Sequence, residues 1–471
     1  MATPTVVLVP VWGAGHLTPM LEAGRRLLAC SDRALSLTVL VMPPPMEQLA
    51  SEVDGHIRRE EGRGGGDVRF HRLPAVEPPT DHQGPVEFAS RVVRLHAPHV
   101  RAAVAALPCP VAAILLDLFY TEMLDVSRGL AVPAYVYFTC NAAALSFFLR
   151  LPALLEETAS EFGDMEEAVY LPGLPPVPPS SLPTPVMDRT KPCCDWYARH
   201  GRRFMDADGI VVNTAAELEP RVLAAVAAEL RPPKIFPVGP VISFPSSSSS
   251  DHECLRWLDA QPPASVVFLC FGSGGFFAAP QAHEVARGME LAGHRFLWVL
   301  RGPPAPGSGG GLHPSDGDLA ALLPAGFLAR TKDTGLVWPT RAPQKEILAH
   351  AAVGGFVTHC GWNSVLESLW HGVPMAPWPL YAEQHLNAFA LVAGAAVAMR
   401  VDRARDNFVE AAELARAVRE LMGGGGEEGR RARERAAEMK AACRKAVEDG
   451  GSSAVAFKRL VDEINTKCAA R

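Results

Sequence analysis

Short runs of apolar, mostly β-branched residues recur along the chain, and helical patterns lie between them. Residues 6–11 form one such run, after which Met20, Leu21, Ala23 and Leu27 repeat at helical spacing. Nearly every position in these runs is apolar, which is typical of strands buried on both faces of a parallel sheet. The alternation of strands and helices predicts an α/β protein with doubly wound domains.

The runs fall into two series of about six predicted strands each, so the sequence predicts two domains. A segment rich in proline and serine separates the series, as expected of a linker. The predicted boundaries are 1–240 for the first domain, 241–254 for the linker, 255–450 for the second domain, and 451–471 for a C-terminal helix that packs back on the first. The predicted strands are 6–11, 37–42, 68–73, 113–116, 134–138 and 209–213, followed by 265–271, 296–300, 335–338, 354–358, 374–378 and 396–401.

Composition excludes several classes of function. The chain carries 45 basic and 51 acidic residues, a net charge of -6, which argues against nucleic acid or anionic lipid as a partner. No apolar run is long enough to span a membrane. The ten cysteines include no CxxC pair, so neither a zinc site nor a disulfide framework is predicted. Because the N-terminal residues lack the pattern of a signal peptide, we expect a cytoplasmic location.

Ligands of open α/β sheets bind beyond the carboxyl ends of the strands, so the loops there are the places to search for chemistry. The first strand leads into Gly13, Gly15 and His16, and the fourth ends at Asp117. A tight turn with an incidental histidine, and an aspartate that caps a helix, are the alternative interpretations. A dinucleotide fingerprint is broken, because Thr18 stands where its third glycine belongs.

His16 and Asp117 together suggest a general base and the carboxylate that orients it. An imidazole titrates near neutral pH, and a carboxylate on its other nitrogen fixes the tautomer and stabilises the imidazolium. Neither a Gly-x-Ser-x-Gly motif nor a recognisable cysteine–histidine signature accompanies them. These residues therefore favour direct attack by a substrate oxygen over covalent catalysis.

The second domain carries a polar loop before a predicted helix at 365–371. The strand at 354–358 runs into His359-Cys-Gly-Trp-Asn-Ser364, and the helix start there offers an anion site that suits a diphosphate without a metal. The alternative interpretation of Ser364 and Glu367 is a capping box. The loop Phe271-Gly-Ser-Gly-Gly275 follows the first strand of the same domain.

These residues resemble the signature box of the plant UDP-dependent glycosyltransferases of secondary metabolism. The likeness runs from Arg341-Ala-Pro-Gln344 through His359–Ser364 and Glu367 to the segment that ends at Gln384, 44 positions in all. It implies the GT-B fold, in which two Rossmann-like doubly wound domains face each other. The first domain would bind the acceptor and the second the UDP-sugar.

The resemblance implies a role for each matching position. His16 would be the catalytic base and Asp117 its partner. Family members whose box ends in glutamine generally use UDP-glucose, and those with histidine there use UDP-galactose. UDP-glucose is then a co-substrate, and neither a cofactor nor a metal is expected. The implied UDP-sugar contacts are Gln344 and the backbone at Ala342 with uracil, Glu367 with ribose, Ser273, His359, Asn363 and Ser364 with the diphosphate, and Trp362, Glu383 and Gln384 with the sugar.

One position departs from the family pattern. The box normally opens with a tryptophan whose ring stacks on uracil, and Arg341 stands there instead. A guanidinium plane also stacks on bases, so we expect Arg341 to contact the nucleotide. Trp338 lies three residues earlier.

The acceptor side is predicted from apolar and aromatic residues of the first domain. The segments Val11-Trp-Gly-Ala-Gly-His16 and Val337-Trp-Pro-Thr340 resemble those of grass enzymes that glucosylate flavonoids. With the box they predict an inverting transfer of glucose to a phenolic hydroxyl by a monomer. A C-glucosyltransferase, a nicotinamide-dependent oxidoreductase and a non-catalytic nucleotide-sugar-binding protein are the alternatives. The predicted acceptor-binding residues are Gly15, Phe119, Tyr120, Phe148, Met187, Trp196 and Met205.

Overall fold

Two parallel β-sheets, one in each of two units, organise the chain. The computed structural model describes residues 3–44, 47–62, 67–243, 251–304, 314–403 and 407–470. The first unit comprises Met1–Ser243 and Lys445–Arg471, and the second comprises Phe244–Arg444.

The sheet of the first unit has seven strands, all parallel, in the order β3-β2-β1-β4-β5-β6-β7. In its centre, Val6 pairs with Leu37 on one side and Ala113 on the other. Every residue of β1 and β4 is buried, as expected of central strands. The strands are β1 Thr5–Val9, β2 Ser36–Val41, β3 Val68–Arg72, β4 Val111–Asp117, β5 Ala134–Phe138, β6 Gly209–Val212 and β7 Ile235–Pro237.

The helices of the first unit connect these parallel strands. Three short 3₁₀ segments, Phe162–Asp164, Pro179–Ser181 and Thr184–Val186, precede α6, and a π-helical turn, Val226–Leu230, follows α7. The helices are α1 Ala14–Cys30, α2 Glu47–Gly62, α3 Pro85–Ala105, α4 Met123–Gly129, α5 Ala142–Glu157, α6 Pro192–Phe204 and α7 Pro220–Ala225.

The sheet of the second unit has five parallel strands in the order β12-β9-β8-β13-β14, and a small antiparallel pair lies apart from it. Its core includes Trp298 and Trp378, which are fully buried. The strands are β8 Val266–Cys270, β9 Arg295–Val299, the pair β10 Arg301–Gly302 and β11 Ser315–Asp316, then β12 Gly335–Trp338, β13 Val353–Thr358 and β14 Met375–Pro377.

The remaining helices belong to the second unit or lead back from it. A π-helical turn, Ala390–Gly394, follows α14. No helix among the described residues is long and apolar enough to cross a membrane. The helices are α8 Glu253–Asp259, α9 Ala279–Ala292, α10 Leu319–Leu322, α11 Phe327–Thr331, α12 Gln344–Ala349, α13 Trp362–His371, α14 Gln384–Phe389, α15 Ala411–Leu421, α16 Glu427–Val447 and α17 Ser452–Ala469.

The C-terminal helix α17 packs into the core of the first unit. Its buried residues Phe457, Leu460 and Ile464 join the cluster that also contains residues of β1, β2 and α1. At its start the Ser453 hydroxyl donates to the Gly239 carbonyl, and near its end Lys467 pairs with Asp208 at 2.5 Å. Burial of this apolar face holds the chain end against the first sheet.

One predicted strand was wrong, and one strand of the first sheet was not predicted. The segment 396–401 forms only a single bridge, between Ala398 and Met375. Its apolar residues Val397, Ala398, Met399 and Val401 are buried as a loop against the core, so their hydrophobicity reflects burial without pairing in a sheet. The edge strand β7 was missed because prolines border it, and proline weakens the strand signal.

Both ends of the predicted linker, 241–254, belong to the described part of the chain. Val241 and Ile242 are buried in the first unit, and α8 begins at Glu253. Residues 244–250 lie outside the described part of the chain, as do residues 305–313 of the glycine-rich segment in the second unit.

The crossing of α5 and α6 generates a stability prediction. A Cβ at Gly201 of α6 would overlap the Phe148 carbonyl oxygen of α5. We expect Gly201→Ala to lower the free energy of unfolding by about 1–3 kcal/mol, because overpacking outweighs the better helix propensity of alanine. The measurement is the thermal midpoint by calorimetry.

Gly55→Ala in α2 is the matched control. A Cβ there reaches only the far end of the Arg59 side chain, at 3.6 Å, so alanine should raise the midpoint slightly. A Gly201→Ala protein that unfolds at or above the wild-type temperature would contradict the close packing described here.

Candidate active site

The order of strands in the first sheet reverses between β1 and β4. Strands β2 and β3 lie to one side of this pair and β5 to β7 to the other, which makes it the switch point where open α/β sheets bind ligands. His16 lies in the first turn of α1, directly after β1, and Asp117 is the last residue of β4. Both side chains therefore reach the same edge of the sheet.

His16 Nδ1 lies 2.8 Å from Asp117 Oδ2. Asp117 is fully buried, and its Oδ1 accepts a hydrogen bond from the Phe119 main-chain N–H at 3.1 Å. The His16 side chain is 28% exposed. Because a carboxylate can only accept, the pair places the imidazole proton on Nδ1 and the lone pair on Nε2. This arrangement suits a general base.

Several aromatic residues lie near the His16–Asp117 pair. The half-buried Phe119 ring lies 5.9 Å from the His16 ring. Behind it Phe148 and Tyr197 stack at 4.7 Å, and both are buried. Tyr120 is completely buried, and this burial raises the pKa of its phenol well above the ordinary value. Among these residues, Phe119 therefore offers ring surface next to the base, and the others support it from behind.

The other predicted acceptor residues lie at varied positions. Gly15 is exposed in the first turn of α1, and Met187 is half-buried after a 3₁₀ turn. Trp196 is half-buried beneath the guanidinium groups of Arg94 and Arg199. Met205, at the end of α6, is 46% exposed. The acceptor role of these residues stays a prediction.

The second sheet has its own switch point, between β8 and β13. The loop that starts at Phe271 follows β8, and the loop that starts at His359 follows β13 and leads into α13. The two polar segments singled out in the sequence are thus neighbours at one sheet edge. The first N–H groups of α13 point out of that edge, as helix N-termini do at anion sites.

His359 is a buried, neutral imidazole at this edge. Burial lowers its pKa to about 4, partly opposed by a hydrogen bond with the Cys270 main chain. A Cβ on either Gly272, whose φ is +76°, or Gly361 would overlap the ring. Nδ1 of His359 has no partner within the described residues. A buried polar atom without a partner is a position where a ligand atom can bind.

Gln344, Ser364 and Glu367 form a connected group. The Gln344 amide nitrogen donates to Ser364 Oγ at 2.9 Å and to Glu367 Oε2 at 2.7 Å. Burial raises the pKa of the Glu367 carboxyl, which is 8% exposed. The capping-box interpretation was wrong, because α13 begins at Trp362 with Gly361 as its cap, which places Ser364 inside the first turn.

The end of the signature box is held by its own main chain. Gln384 Oε1 accepts from the N–H groups of Leu380 and Tyr381, at 2.8 and 3.0 Å. Asn387, one turn further along α14, donates to the Cys360 carbonyl at 2.9 Å. Cys360 adopts a φ of +64°, and this bond helps to hold it there. Glu383 is the N-cap residue of α14 and directly precedes Gln384.

The start of the box is more open. Arg341 is exposed, Ala342 is half-buried, and the Trp338 indole donates to the Arg341 carbonyl at 3.2 Å. The Trp338 ring also packs edge-on against His252 at 5.0 Å. Trp338 is therefore hydrogen-bonded to Arg341, which occupies the position where the family carries tryptophan.

The other predicted donor-site residues follow β8 and β13. Ser273 is exposed in the turn after β8, and Trp362 and Asn363 form the first turn of α13. Asn387, which helps to shape this site, was not singled out in the sequence. Gly272 and Gly361 belong to the two polar loops that the sequence analysis named, but their close contact with the His359 ring was not predicted. The available signal was glycine at these positions, since only glycine permits such close approach.

The two switch points thus carry different groups: a histidine–aspartate pair in the first unit, and a helix N-terminus with a buried glutamate in the second. Within the described residues, no group of three or more histidine, cysteine, aspartate or glutamate residues could hold a metal ion.

Comparison with known proteins identifies the family. The model of the "UDP-glucoronosyl and UDP-glucosyl transferase" family matches residues 236–425. The chain is 59% identical over 473 residues to a malvidin galactosylase of Oryza sativa subsp. japonica, covering 98% of each. It is 38% identical over 476 residues to an anthocyanidin 5,3-O-glucosyltransferase of a Rosa hybrid cultivar, again covering 98% of each.

A solved structure agrees with these relatives. Phytolacca americana UGT2, complexed with UDP-2fluoro-glucose and pterostilbene, is 36% identical and superposes with a TM-score of 0.85, covering 98% of this chain and 100% of that one. This chain therefore belongs to the plant UDP-dependent glycosyltransferases of secondary metabolism. The predicted GT-B fold and the assignment as a glycosyltransferase are confirmed.

The contact between His16 and Asp117 generates a prediction about the tautomer. In Asp117→Asn the amide oxygen can still accept from Phe119, but the amide nitrogen then faces His16 Nδ1. We expect the proton of neutral His16 to move to Nε2, because an N–H group cannot accept. The ¹⁵N shifts of labelled histidine measure this directly, and an unchanged Nδ1–H tautomer in the folded variant would contradict the pairing.

Proposed function

We propose that this chain is an inverting transferase that moves a hexose from a UDP-hexose to a hydroxyl of an anthocyanidin or related flavonoid. The observation that carries the proposal is the 2.8 Å contact between His16 Nδ1 and Asp117 Oδ2, beside the half-buried Phe119 ring. A base at a sheet edge and a flat apolar surface next to it suit a phenolic acceptor.

The bond changes follow from this geometry. His16 Nε2 takes the proton of the acceptor hydroxyl while its oxygen attacks C1 of the hexose from the face opposite to UDP. The bond between C1 and the β-phosphate oxygen breaks, UDP leaves, and the configuration at C1 inverts. Asp117 stabilises the imidazolium that forms, because its buried charge faces Nδ1–H. No covalent intermediate with the protein is needed.

The second unit holds the donor in this proposal. Glu367 and Gln344 are already connected through a hydrogen bond, which orients both for a nucleoside. The N–H groups at the start of α13 suit the leaving diphosphate, because they donate to its oxygens. Following the family, we assign Gln344 and Ala342 to uracil with Arg341 beside it, Glu367 to ribose, Ser273, His359, Asn363 and Ser364 to the diphosphate, and Trp362, Glu383 and Gln384 to the sugar.

In this proposal the helix N-terminus and polar side chains, with no metal, stabilise the diphosphate by hydrogen bonds, and we propose that none is required. We also propose that the protein works as a monomer in the cytoplasm. None of its ten cysteines forms a disulfide, which suits a reducing compartment.

UDP-glucose is the proposed donor, because Gln384 ends the signature box. UDP-galactose is the second candidate, since the relative with 59% identity is a malvidin galactosylase. Gln384 supports a preference only through its amide nitrogen, because Leu380 and Tyr381 occupy its oxygen. One hydrogen bond contributes about 0.5–1.5 kcal/mol, so the two donors should differ by about tenfold or less.

A single assay tests the proposal. Chelator-treated protein is given labelled UDP-glucose or UDP-galactose with a panel of anthocyanidins, flavonols and simple phenols, and products are identified by mass. We expect acid-labile O-hexosides with inverted configuration. Acid-resistant products would indicate C-transfer, restoration by Mn²⁺ would contradict metal independence, and no transfer at all would contradict the proposed function.

His16 gives the sharpest mutational prediction. We expect His16→Ala, and also His16→Gln, which retains a donor for Asp117, to lower kcat by about 10²–10⁴-fold because the base is lost. UDP affinity measured by calorimetry should stay unchanged. His71→Ala, at an exposed histidine of β3, is the control that should retain full activity. More than a tenth of wild-type activity in His16→Ala would refute the assigned role.

Gln384 gives a prediction about donor choice. The imidazole of Gln384→His cannot accept from two adjacent N–H groups. We therefore expect the ratio of kcat/KM for UDP-glucose over UDP-galactose to fall about three- to tenfold. Gln281→Glu disturbs another buried glutamine of the same unit, which bonds to the Val409 main chain, and should leave the ratio unchanged. An unaltered ratio in Gln384→His would remove Gln384 from donor selection.

A further inference from the structure

One face of α6 holds the segment that follows β4. Residues 117–125 begin with the partner of the catalytic base, and His200, Arg199 and Arg203 of α6 all bond to them. These positions lie three and four residues apart, which places them on one side of a helix. The segment that carries Asp117 and Phe119 is therefore fastened to a single helix face.

His200 is the buried centre of this contact. Its Nδ1 lies 2.8 Å from Thr121 Oγ1, and its Nε2 lies 2.9 Å from Ser90 Oγ of α3. All three residues are essentially inaccessible to solvent. Burial lowers the pKa of His200 to about 3, so the ring is neutral and carries one donor and one acceptor. Two hydroxyls can satisfy either tautomer.

The His200 ring also touches the acceptor side. It meets the Phe119 ring edge-on with centroids 5.6 Å apart, and Phe119 in turn lies 5.9 Å from His16. His200 thus contacts Phe119, the aromatic residue nearest to His16. Through its bond with Thr121 it also holds the chain two residues after Phe119. A shift of this ring would move the acceptor surface relative to His16.

A charged group lies beside it. Glu122 accepts from Arg199 at 2.6 Å and from Arg94 at 3.2 Å. Burial alone would raise the pKa of Glu122, but the hydrogen bond from Arg199 and the nearby arginines lower it. Both arginine side chains are about half exposed, so water and salt weaken their contribution. The uncharged, fully buried contact of His200 is not weakened in this way.

We propose that His200 is a positioning residue that selects which acceptor hydroxyl reacts. By holding Thr121 and the Phe119 ring, it sets how a flat acceptor lies against His16. The inference rests on the proposed function, because it concerns the acceptor side of that reaction.

The test uses a flavonol with several hydroxyls and measures the ratio of its monohexosides. This ratio does not depend on how much of the protein is folded, so a purely structural role would not move it. Thr121→Val removes the bond between His200 and the segment. We expect the ratio to change by about three- to tenfold and the acceptor KM to rise, with the UDP-hexose KM within about twofold of wild type.

Ser90→Ala is the matched control. It removes the other hydrogen bond of the same buried ring but leaves the contact with Thr121, so stability should fall similarly while the product ratio stays at the wild-type value. His200→Leu should shift the ratio in the same direction as Thr121→Val, and His200→Gln, whose amide retains a donor and an acceptor, should restore part of it.

The outcomes separate the two proposals. Wild-type transfer with unchanged product ratios in Thr121→Val and His200→Leu would overturn the positioning role alone. Equal shifts in Ser90→Ala and Thr121→Val would also overturn it, because they would indicate general loosening. A wild-type chain without transfer would contradict the proposed function and this inference together.

Discussion

The constraint on which this structure depends is the reversal of strand order in each parallel sheet. Consecutive parallel strands need a crossover helix, and a sheet wound in both directions leaves a crevice where the direction changes. The reversal lies between β1 and β4 in one unit and between β8 and β13 in the other. His16 and Asp117 follow the first pair, and Gly272 and His359 follow the second. Residues a hundred positions apart therefore meet because of topology, without local sequence signals.

Burial gives three histidines of this chain different chemistry. Neither His200 nor His359 has a hydrogen bond with a carboxylate among the described residues, and desolvation lowers the pKa of each, to about 3 and about 4. They act as neutral hydrogen-bonding groups, because a buried charge without a counter-charge is costly. His16 is partly exposed and paired with a buried aspartate. Of the three, it alone has a carboxylate within hydrogen-bond distance.

The sequence predicted most central strands because residues buried on both faces are apolar at every position. The same reasoning failed for 396–401, where a buried loop gives an apolar run, and for β7, where prolines hide an edge strand. It recognised Ser364 and Glu367 but not their link through Gln344, which joins α12 to α13. His200 could not be recognised at all, since its partners Ser90 and Thr121 come from distant segments.

The main-chain bonds of Gln384 bear on how donor choice can differ within one family. If an amide presented both its oxygen and its nitrogen to two adjacent sugar hydroxyls, epimers would be separated strongly, because a mismatch leaves buried polar groups unpaired. Here the oxygen already accepts two N–H groups, its full capacity. On the proposed function, only the nitrogen, which also faces the Tyr381 phenol, can distinguish an axial from an equatorial hydroxyl. Any other single hydrogen bond to the sugar then contributes a similar free energy. Gln384 alone therefore does not determine which UDP-hexose is used.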